Sequence, residues 1–373
     1  MALEKNIVIL EGDGIGPEIM REGVKVLNVV AERYGHKFNL TYAPFGAGNY
    51  LANGSCYPEE TRKQILAADA VLKGPVGLNL EGMKKLQAAG VKMELETILA
   101  LRKDLDTYVC YRPVILPKSL ASFSPLKSEI IGDGLDILMM RELVGGIYFG
   151  DKTEGVIDGE IRKPYASDDC TYTNQQVERF ARVCFKEAKK RNAKLTNVSK
   201  PNVLATSRYW DAVFKEVARE YPDIKMESII VDNLAFQLCK NPRQFNGVMA
   251  LENMQGDILT DQAGGILGSL GLMPSACVNP ETGKAYFEPS HGSAPDIAGQ
   301  NKANPYSMIG SVAFMLEHFG LKEESQAVWK ELFHIFADGY RTGELANKTT
   351  NPDMIIPTST FGEFVAANIL RRT

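Results

Sequence analysis

The sequence IVILEGDGIGPE, residues 7–18, contains the pattern that decides the fold. Its first four residues form an apolar run, which predicts a strand over residues 6–10. Glycines at positions 12, 14 and 16 permit a tight turn, and Pro17 suits the first turn of a helix. The glycine spacing differs from the Rossmann dinucleotide fingerprint, because the third glycine comes too early and a proline follows it. The segment therefore predicts a strand, a glycine-rich turn and a helix over residues 17–33.

The rest of the chain repeats this alternation of short apolar runs and longer amphipathic stretches. The later predicted strands cover residues 70–73, 108–111, 137–140 and 228–232, and the later predicted helices cover residues 174–191, 207–220 and 322–338. Residues 145–173 show neither period and are interpreted as a β-hairpin extension. Strands that alternate with helices indicate an α/β fold with a largely parallel sheet.

Composition and charge exclude several classes of protein. The 373 residues include 42 Lys and Arg against 46 Asp and Glu, so the net charge is −4, and 45% of the residues are apolar. These values predict two domains or one large α/β unit, and they argue against a disordered chain or a nucleic-acid partner. No apolar run approaches the length of a membrane span, and the run at residues 7–10 is too short for a signal peptide. Because the six cysteines form no Cys-x-x-Cys pair, we expect reduced thiols, no structural zinc and a cytoplasmic location.

Three arginines are candidates for binding an anionic ligand. If residues 95–102 are helical, one face presents three aliphatic side chains and a guanidinium, from Leu95, Ile98, Leu99 and Arg102. Such a face could bind a ligand with an apolar and an anionic end. Alternatively, the aliphatic side chains only pack in the core, and the arginine extends from it to solvent. Arg112 and Arg141 lie at the ends of apolar runs, where a planar guanidinium could bind both oxygens of a carboxylate or form a surface ion pair.

Two further segments are candidates for binding a metal ion and a flat polar ligand. Asp257 and Asp261 would share one helix face, where like charges repel unless a cation lies between them. Asp232 could add a third oxygen ligand, and such ligands indicate Mg²⁺ or Mn²⁺. The alternative is a helix cap and an exposed carboxylate. Residues 291–299, HGSAPDIAG, predict a loop that either wraps a flat ligand or only connects two elements.

Taken together, these motifs resemble the decarboxylating β-hydroxyacid dehydrogenases, the isocitrate/isopropylmalate dehydrogenase family. The resemblance extends from Gly12 to about Gly343. It is most specific in RELVGGIYFG at residues 141–150, in GDILTD at residues 256–261 and in the loop at residues 291–299. The first and last of these segments are most similar to the 3-isopropylmalate branch. Residues 73–77 and 108–113 are more similar to isocitrate-type members, and residues 78–94 match neither branch.

The resemblance implies a non-Rossmann fold of two α/β domains that share a continuous sheet. Residues 1–107 and 268–373 would form the cofactor-binding domain, and residues 108–267 the dimerisation and substrate domain. An arm at about residues 145–173 would lie at the interface of a homodimer. In relatives, the residues that correspond to Lys200 and Asp232 reach the active site of the other subunit, so the resemblance implies shared active sites.

The resemblance also implies a role for each candidate residue. The catalytic pair would be Tyr148 and Lys200. The carboxylate-binding residues would be Arg102, Arg112 and Arg141, with Ile98, Leu99 and Val203 as the apolar part of the substrate pocket. The metal ligands would be Asp232, Asp257 and Asp261. The cofactor would be bound by Ile15, His291, Gly292, Ser293, Ala294, Pro295, Asp296 and Asn304.

The activity implied is NAD-dependent oxidative decarboxylation of 3-isopropylmalate to 4-methyl-2-oxopentanoate, with Mg²⁺ or Mn²⁺, in leucine biosynthesis. Asp296 would favour NAD over NADP, because a carboxylate repels a 2′-phosphate. Two alternatives remain open at this point. One is a family member that acts on isocitrate, homoisocitrate, tartrate or a smaller 3-alkylmalate. The other is a silent nucleotide-binding regulatory paralogue, which would be expected to lack at least one catalytic or metal residue.

Overall fold

A computed structural model describes residues 2–157 and 159–371. Its strands are β1 (Glu4–Leu10), β2 (Lys37–Tyr42), β3 (Ala70–Lys73), β4 (Val109–Pro117), β5 (Gly134–Glu142), β6 (Lys152–Thr153), β7 (Val156–Ile157), β8 (Glu160–Ile161), β9 (Ser167–Asp168), β10 (Leu195–Ser199), β11 (Met226–Ile230), β12 (Gly247–Leu251), β13 (Pro274–Val278) and β14 (Ala285–Pro289).

The helices of the same described residues alternate with these strands. They are α1 (Gly16–Tyr34), α2 (Ala47–Asn53), α3 (Glu59–Ala67), α4 (Leu80–Ala88), α5 (Ala100–Leu105), α6 (Ser128–Ile131), α7 (Asn174–Lys190), α8 (Ala205–Ala218), α9 (Val231–Lys240), α10 (Asn253–Leu267), α11 (Tyr306–His318), α12 (Lys322–Ala337) and α13 (Thr358–Arg371). The predicted α/β class is confirmed.

The chain divides into two units. The first unit comprises Met1–Leu105, Gly268–Val278 and Thr282–Thr373. Its strands follow the order β13-β14-β3-β1-β2, and all neighbours are parallel except β13 and β14. The predicted first strand and helix are present as β1 and α1, because the run at residues 7–10 is buried and α1 begins at the glycine turn with a proline in its first turn.

The second unit comprises Asp106–Leu267 and Asn279–Glu281. Its strands follow the order β11-β10-β12-β5-β4, with β4 antiparallel to β5 and the other neighbours parallel. Helices α7 and α8 pack together through an aromatic cluster of Phe180, Trp210 and Phe214. Strand β5 and helix α10 are the two elements that position most of the candidate site in this unit.

Several local predictions differ from the structure. The strand predicted over residues 108–111 continues through Pro113 to Pro117. The fixed φ of proline is compatible with a strand, and each proline removes only one backbone N–H donor. Asp232, expected at the end of a strand, lies in the first turn of α9. Residues 145–173 contain the predicted hairpin in interrupted form, with β7 paired to β8 inside an outer antiparallel pair of β6 and β9.

Two findings concern the classes considered above. None of the described helices combines the length and apolar character that crossing a membrane requires. All six cysteines have free thiols, and four of them are buried, as expected for reduced cysteines.

Candidate active site

Arg141 is the centre of the polar contacts in the second unit. It is the second-last residue of β5 and is only 1% exposed. Its Nη2 donates to Asn253 Oδ1 at 2.8 Å, and its Nη1 donates to Asp257 Oδ1. A Cβ atom at Gly256 would lie 2.7 Å from Arg141 Cγ, so a glycine there lets α10 approach the arginine. Helix α10 therefore supplies both partners of this guanidinium.

Tyr148 binds the same aspartate. It ends a short 3₁₀ turn, Gly146–Tyr148, that follows β5. Its Oη donates to Asp257 Oδ2 at 2.9 Å, and the Arg141 guanidinium carbon lies 5.8 Å from its ring centroid. Burial, and then the Asp257 carboxylate, raise the pKa of Tyr148 to about 12. The phenol therefore keeps its proton at neutral pH, so it can act as a proton donor but not as a base.

Asp257 and Asp261 lie one turn apart on α10, as the sequence predicted. Arg112 Nη1 donates to Thr260 Oγ1 at 2.7 Å and lies 3.6 Å from Asp261 Oδ1. Burial raises the pKa of Asp261, Arg112 opposes that shift, and Asp257 adds to it. Both carboxylates keep solvent-exposed surface, with side-chain exposures of 40% and 57%. Two carboxylates on one exposed helix face are oxygen donors of the kind that Mg²⁺ and other hard divalent cations prefer.

Lys200 and Asp232 form a separate pair. Lys200 follows β10, and its Nζ lies 2.5 Å from Asp232 Oδ1. The hydrogen bond from Lys200 lowers the pKa of the Asp232 carboxyl, so it is ionised. Within the described residues of one chain, no group of three His, Cys, Asp or Glu side chains could hold a metal ion. A single chain thus brings Asp257 together with Asp261 but leaves Asp232 apart from them.

A cleft of about 840 Å³ lies in the first unit. Five of the residues predicted to bind the cofactor line it: Ile15, His291, Gly292, Ala294 and Asn304. Ser293 is buried, and its carbonyl accepts a hydrogen bond from Ile15 N at 2.8 Å, which joins the glycine turn to the loop at residues 291–299. Pro295 and Asp296 are exposed and lie between the lining residues Ala294 and Ile297.

The hydrogen-bonding roles of His291 and Asn304, which both line this cleft, follow from their partners. His291 Nδ1 lies 2.8 Å from the Gly292 carbonyl, so that nitrogen carries the hydrogen, and burial lowers the pKa of the ring and keeps it neutral. His291 Nε2 is then an acceptor. Asn304 Oδ1 accepts from Tyr306 N at 2.9 Å, which leaves Nδ2 as a donor. Both atoms are buried and without a partner among the described residues. One buried acceptor and one buried donor are thus available to a polar ligand in this cleft.

Asp13 is a residue of this unit that the sequence did not single out. Its carboxylate accepts hydrogen bonds at 2.8 Å from the backbone N–H groups of Ala47, Gly48 and Gly77. Its own N–H donates to the Pro75 carbonyl at 2.8 Å. The glycine turn is therefore fixed to two other segments. The only sequence signal is an aspartate between two glycines, and its partners lie far away along the chain.

The helix that carries Arg102 differs from the expected regular helix. Residues Leu95–Leu99 form a π turn before α5, so the face expected to hold Leu95, Ile98, Leu99 and Arg102 together is not kept. Leu95 is 41% exposed, whereas Arg102 is buried and its Nε donates to Tyr286 Oη at 3.1 Å. Ile98 and Leu99 are half-buried. In the second unit, Val203 is 63% exposed and has free apolar surface.

The chain is similar to known proteins over nearly its whole length. A family model described as isocitrate/isopropylmalate dehydrogenase matches residues 6–365. The 3-isopropylmalate dehydrogenase of Carboxydothermus hydrogenoformans is 43% identical over 98% of this chain and 94% of its own length. The corresponding enzyme of Thermotoga maritima is 42% identical over 97% of this chain and 98% of its own length. The structure of isocitrate dehydrogenase from Methylococcus capsulatus matches with a TM-score of 0.84 at 29% identity, over 98% of this chain and 100% of that chain.

Proposed function

The chain belongs to the isocitrate/isopropylmalate dehydrogenase family, and on that premise we propose that it oxidises and decarboxylates 3-isopropylmalate to 4-methyl-2-oxopentanoate with NAD. Relatives named 3-isopropylmalate dehydrogenase, at 41–44% identity, support this substrate and a role in leucine biosynthesis. The observation that carries the proposal is the single carboxylate of Asp257, which binds both Arg141 and the Tyr148 hydroxyl.

Substrate binding is assigned to the three arginines. A malate unit has two carboxylates, and a buried guanidinium is a strong partner for such a group. Arg112 and Arg141 are both buried in the second unit, and Arg102 is buried in the first. Because Arg141 and Arg112 already contact carboxylates of α10, they are held in place before a ligand arrives. Ile98, Leu99 and Val203 are assigned to the alkyl group of the substrate.

The cofactor and the metal ion are assigned to residues that fit them. His291 and Asn304 offer the acceptor and the donor that adenine requires, and Ile15, Gly292, Ser293, Ala294, Pro295 and Asp296 complete the binding segment. Asp257 and Asp261 offer two carboxylates to Mg²⁺ or Mn²⁺, and Asp232 from a second copy of the chain would be the third. When bound, NAD accepts a hydride, and the cation withdraws electron density from the reacting oxygen.

The protein's own groups move two protons. Lys200, as the neutral amine after its ammonium proton has passed to solvent, accepts the C2 hydroxyl proton at Nζ as the hydride leaves C2, which gives a β-keto acid. Loss of carbon dioxide leaves an electron pair at C3, and Tyr148 donates its Oη proton there. The raised pKa of Tyr148 suits this role, because the phenol arrives at the step protonated. Arg112 and Arg141 hold the substrate carboxylates throughout.

A homodimer follows from this assignment, because one chain keeps Lys200 and Asp232 apart from Asp257 and Asp261. The proposed arm supports it: Val156, Ile161 and Tyr165 are large apolar side chains that are 54%, 81% and 62% exposed. Apolar side chains of this size would be covered if the arm packs against a second copy of the chain. A cytoplasmic location fits the free thiols of the described cysteines.

Isocitrate is the second candidate substrate. Residues 73–77 and 108–113 are similar to isocitrate-type members, and one of the matched solved structures is an isocitrate dehydrogenase. A silent nucleotide-binding paralogue is disfavoured, because Tyr148, Lys200, Asp232, Asp257 and Asp261 are all present.

The experiment is NADH formation at 340 nm with a panel of 3-isopropylmalate, isocitrate, homoisocitrate, tartrate and smaller 3-alkylmalates, with and without Mg²⁺. We expect the fastest turnover with 3-isopropylmalate and almost none without a divalent cation. Failure to reduce NAD with any of these acids would contradict the proposed function.

A further inference from the structure

We propose that Asn253 is a positioning residue that fixes Arg141 and the turn of Tyr148 to the start of α10. The proposal rests on the function proposed above. Asn253 is the first residue of α10, and it is fully buried. It contacts no reacting group directly, so its effect would pass through Arg141 and Tyr148.

The side-chain amide of Asn253 binds two different segments at once. Its Oδ1 accepts from Arg141 Nη2 at 2.8 Å and from Arg141 Nε at 3.3 Å. Its Nδ2 donates to the Gly145 carbonyl at 3.0 Å. A guanidinium can only donate and a carbonyl can only accept, so these partners fix which way the amide faces. An aspartate of the same shape could serve the arginine but not the carbonyl.

Tyr172 holds the other side of the same turn. Its Oη accepts from the backbone N–H of Asn253 at 3.0 Å and donates to Glu252 Oε2 at 3.1 Å. A Cβ atom at Gly145 would lie 2.6 Å from Tyr172 Cε1, so the glycine packs directly on the ring. The backbone at Gly145 is therefore clamped between the amide of Asn253 and the ring of Tyr172.

The clamp sets where Tyr148 lies. Tyr148 comes three residues after Gly145, and its Oη reaches Asp257, which is one turn beyond Asn253 on α10. Loss of the Gly145 bond would let this turn shift relative to α10, while Arg141 keeps its partners. Misplacement by about 1 Å costs on the order of 100-fold in rate. The contacts of Asn253 with its two partners should therefore have different kinetic effects: the hydrogen bonds from Arg141 support substrate binding, and the hydrogen bond to Gly145 supports the proton donor.

The test compares Asn253→Asp with Asn253→Ala. Asn253→Asp keeps an acceptor for Arg141 but places an acceptor against the Gly145 carbonyl, so kcat should fall about 10- to 100-fold with KM changed less than about threefold. Asn253→Ala removes the hydrogen bonds to both partners, so kcat should fall and KM for the acid should also rise about tenfold. A matched control is Asn279→Ala, which removes a buried asparagine of the same unit that bonds Asp106 and Glu281. It should lower thermal stability and leave both constants unchanged.

If the Asn253 variants do not fold, Tyr172→Phe provides an independent test of the same contact. It retains the ring but removes the hydroxyl that binds the backbone of Asn253, so kcat should fall several-fold at constant KM. All variants are assayed on the acid that the unmodified protein turns over fastest. If the unmodified protein reduces NAD with none of the acids, the proposed function fails. If the unmodified protein is active and Asn253→Asp has the same kcat and KM as the Asn279→Ala control, the role of Asn253 is overturned. If Asn253→Asp cannot fold, a normal kcat in Tyr172→Phe overturns it.

Discussion

Tyr148 Oη lies 2.9 Å from Asp257 Oδ2, while Arg141 binds the other oxygen of the same carboxylate. One aspartate thus links the proposed proton donor, a proposed substrate arginine and the proposed metal site. The arrangement depends on Gly256, since a larger residue would push α10 away from Arg141. A change at Asp257 should therefore affect all three functions together.

Asp257→Asn should weaken Mg²⁺ binding at least about tenfold, because it removes one negative ligand from a two-carboxylate helix face. The measurement is the Mg²⁺ concentration for half-maximal NADH formation. Asp223→Asn, at an exposed position of the same unit, is the control and should leave that concentration unchanged. An unaltered Mg²⁺ requirement in Asp257→Asn would remove this residue from the metal site.

Lys200→Ala should lower kcat by about 10³-fold or more, because the proposed general base is lost. NAD binding, measured by fluorescence titration, should stay within about twofold, since the cofactor cleft lies in the first unit. Lys225→Ala is the matched control, because that lysine is 74% exposed and pairs with Glu227. Normal turnover in Lys200→Ala would exclude it from the mechanism.

Asp296→Lys should shift the cofactor preference from NAD toward NADP by at least about tenfold in kcat/KM. The aspartate is exposed between two residues that line the cofactor cleft, where a carboxylate repels a 2′-phosphate. The measurement is kcat/KM for both cofactors in the unmodified protein and the variant. Equal use of both cofactors by the unmodified protein would show that Asp296 does not select.

Glu142 should make stability depend on pH. Its carboxylate accepts N–H groups from Val144 at 2.8 Å and Gly145 at 2.9 Å, yet burial raises its pKa to about 7. The folded state then binds more protons than the unfolded chain. The stabilisation of the folded state by protonation of Glu142 is complete below pH 4.5 and is lost as the pH rises through 7. The loss is roughly 3 kcal/mol at most. Urea unfolding at pH 5 and pH 8 should show a flatter pH dependence in Glu142→Gln; an unchanged slope would contradict this account.

Local patterns in the sequence predicted the strands and helices whose formation depends mainly on residues close together in the chain. The apolar run before the glycine turn gave β1, and the four-residue spacing of Asp257 and Asp261 placed both on one helix. Asp232 was misplaced because β11 ends two residues before it and α9 begins at once, with no glycine or proline to mark the boundary.

Contacts between distant segments could not be predicted in this way. Asn253 binds Arg141 across 112 residues, and Asp13 binds Gly77 across 64. The periodicity of apolar residues also did not predict the π turn at Leu95–Leu99, because one extra residue in a helical turn does not change the composition. The arginines were predicted from their positions on a helix face and at the ends of apolar runs, and the family resemblance implied their role, but their hydrogen-bond partners required the structure.

The proposed contacts of Ile98, Leu99 and Val203 with the alkyl group should distinguish 3-isopropylmalate from isocitrate. Burying a branched alkyl group of three carbons would contribute roughly 2 kcal/mol at about 0.8 kcal/mol per CH₂. The third carboxylate of isocitrate in the same place would cost several kcal/mol without a cationic partner. Ile98→Ser should therefore reduce the preference for 3-isopropylmalate about tenfold, whereas Leu80→Ser, at a 74% exposed leucine, should not change it.

The most direct measurement is the ratio of kcat/KM for 3-isopropylmalate to that for isocitrate, with saturating NAD and Mg²⁺. We predict a ratio of at least about 100, since each factor of ten corresponds to about 1.4 kcal/mol. A ratio near one, or a ratio that favours isocitrate, would contradict the apolar pocket and the substrate proposed for this protein.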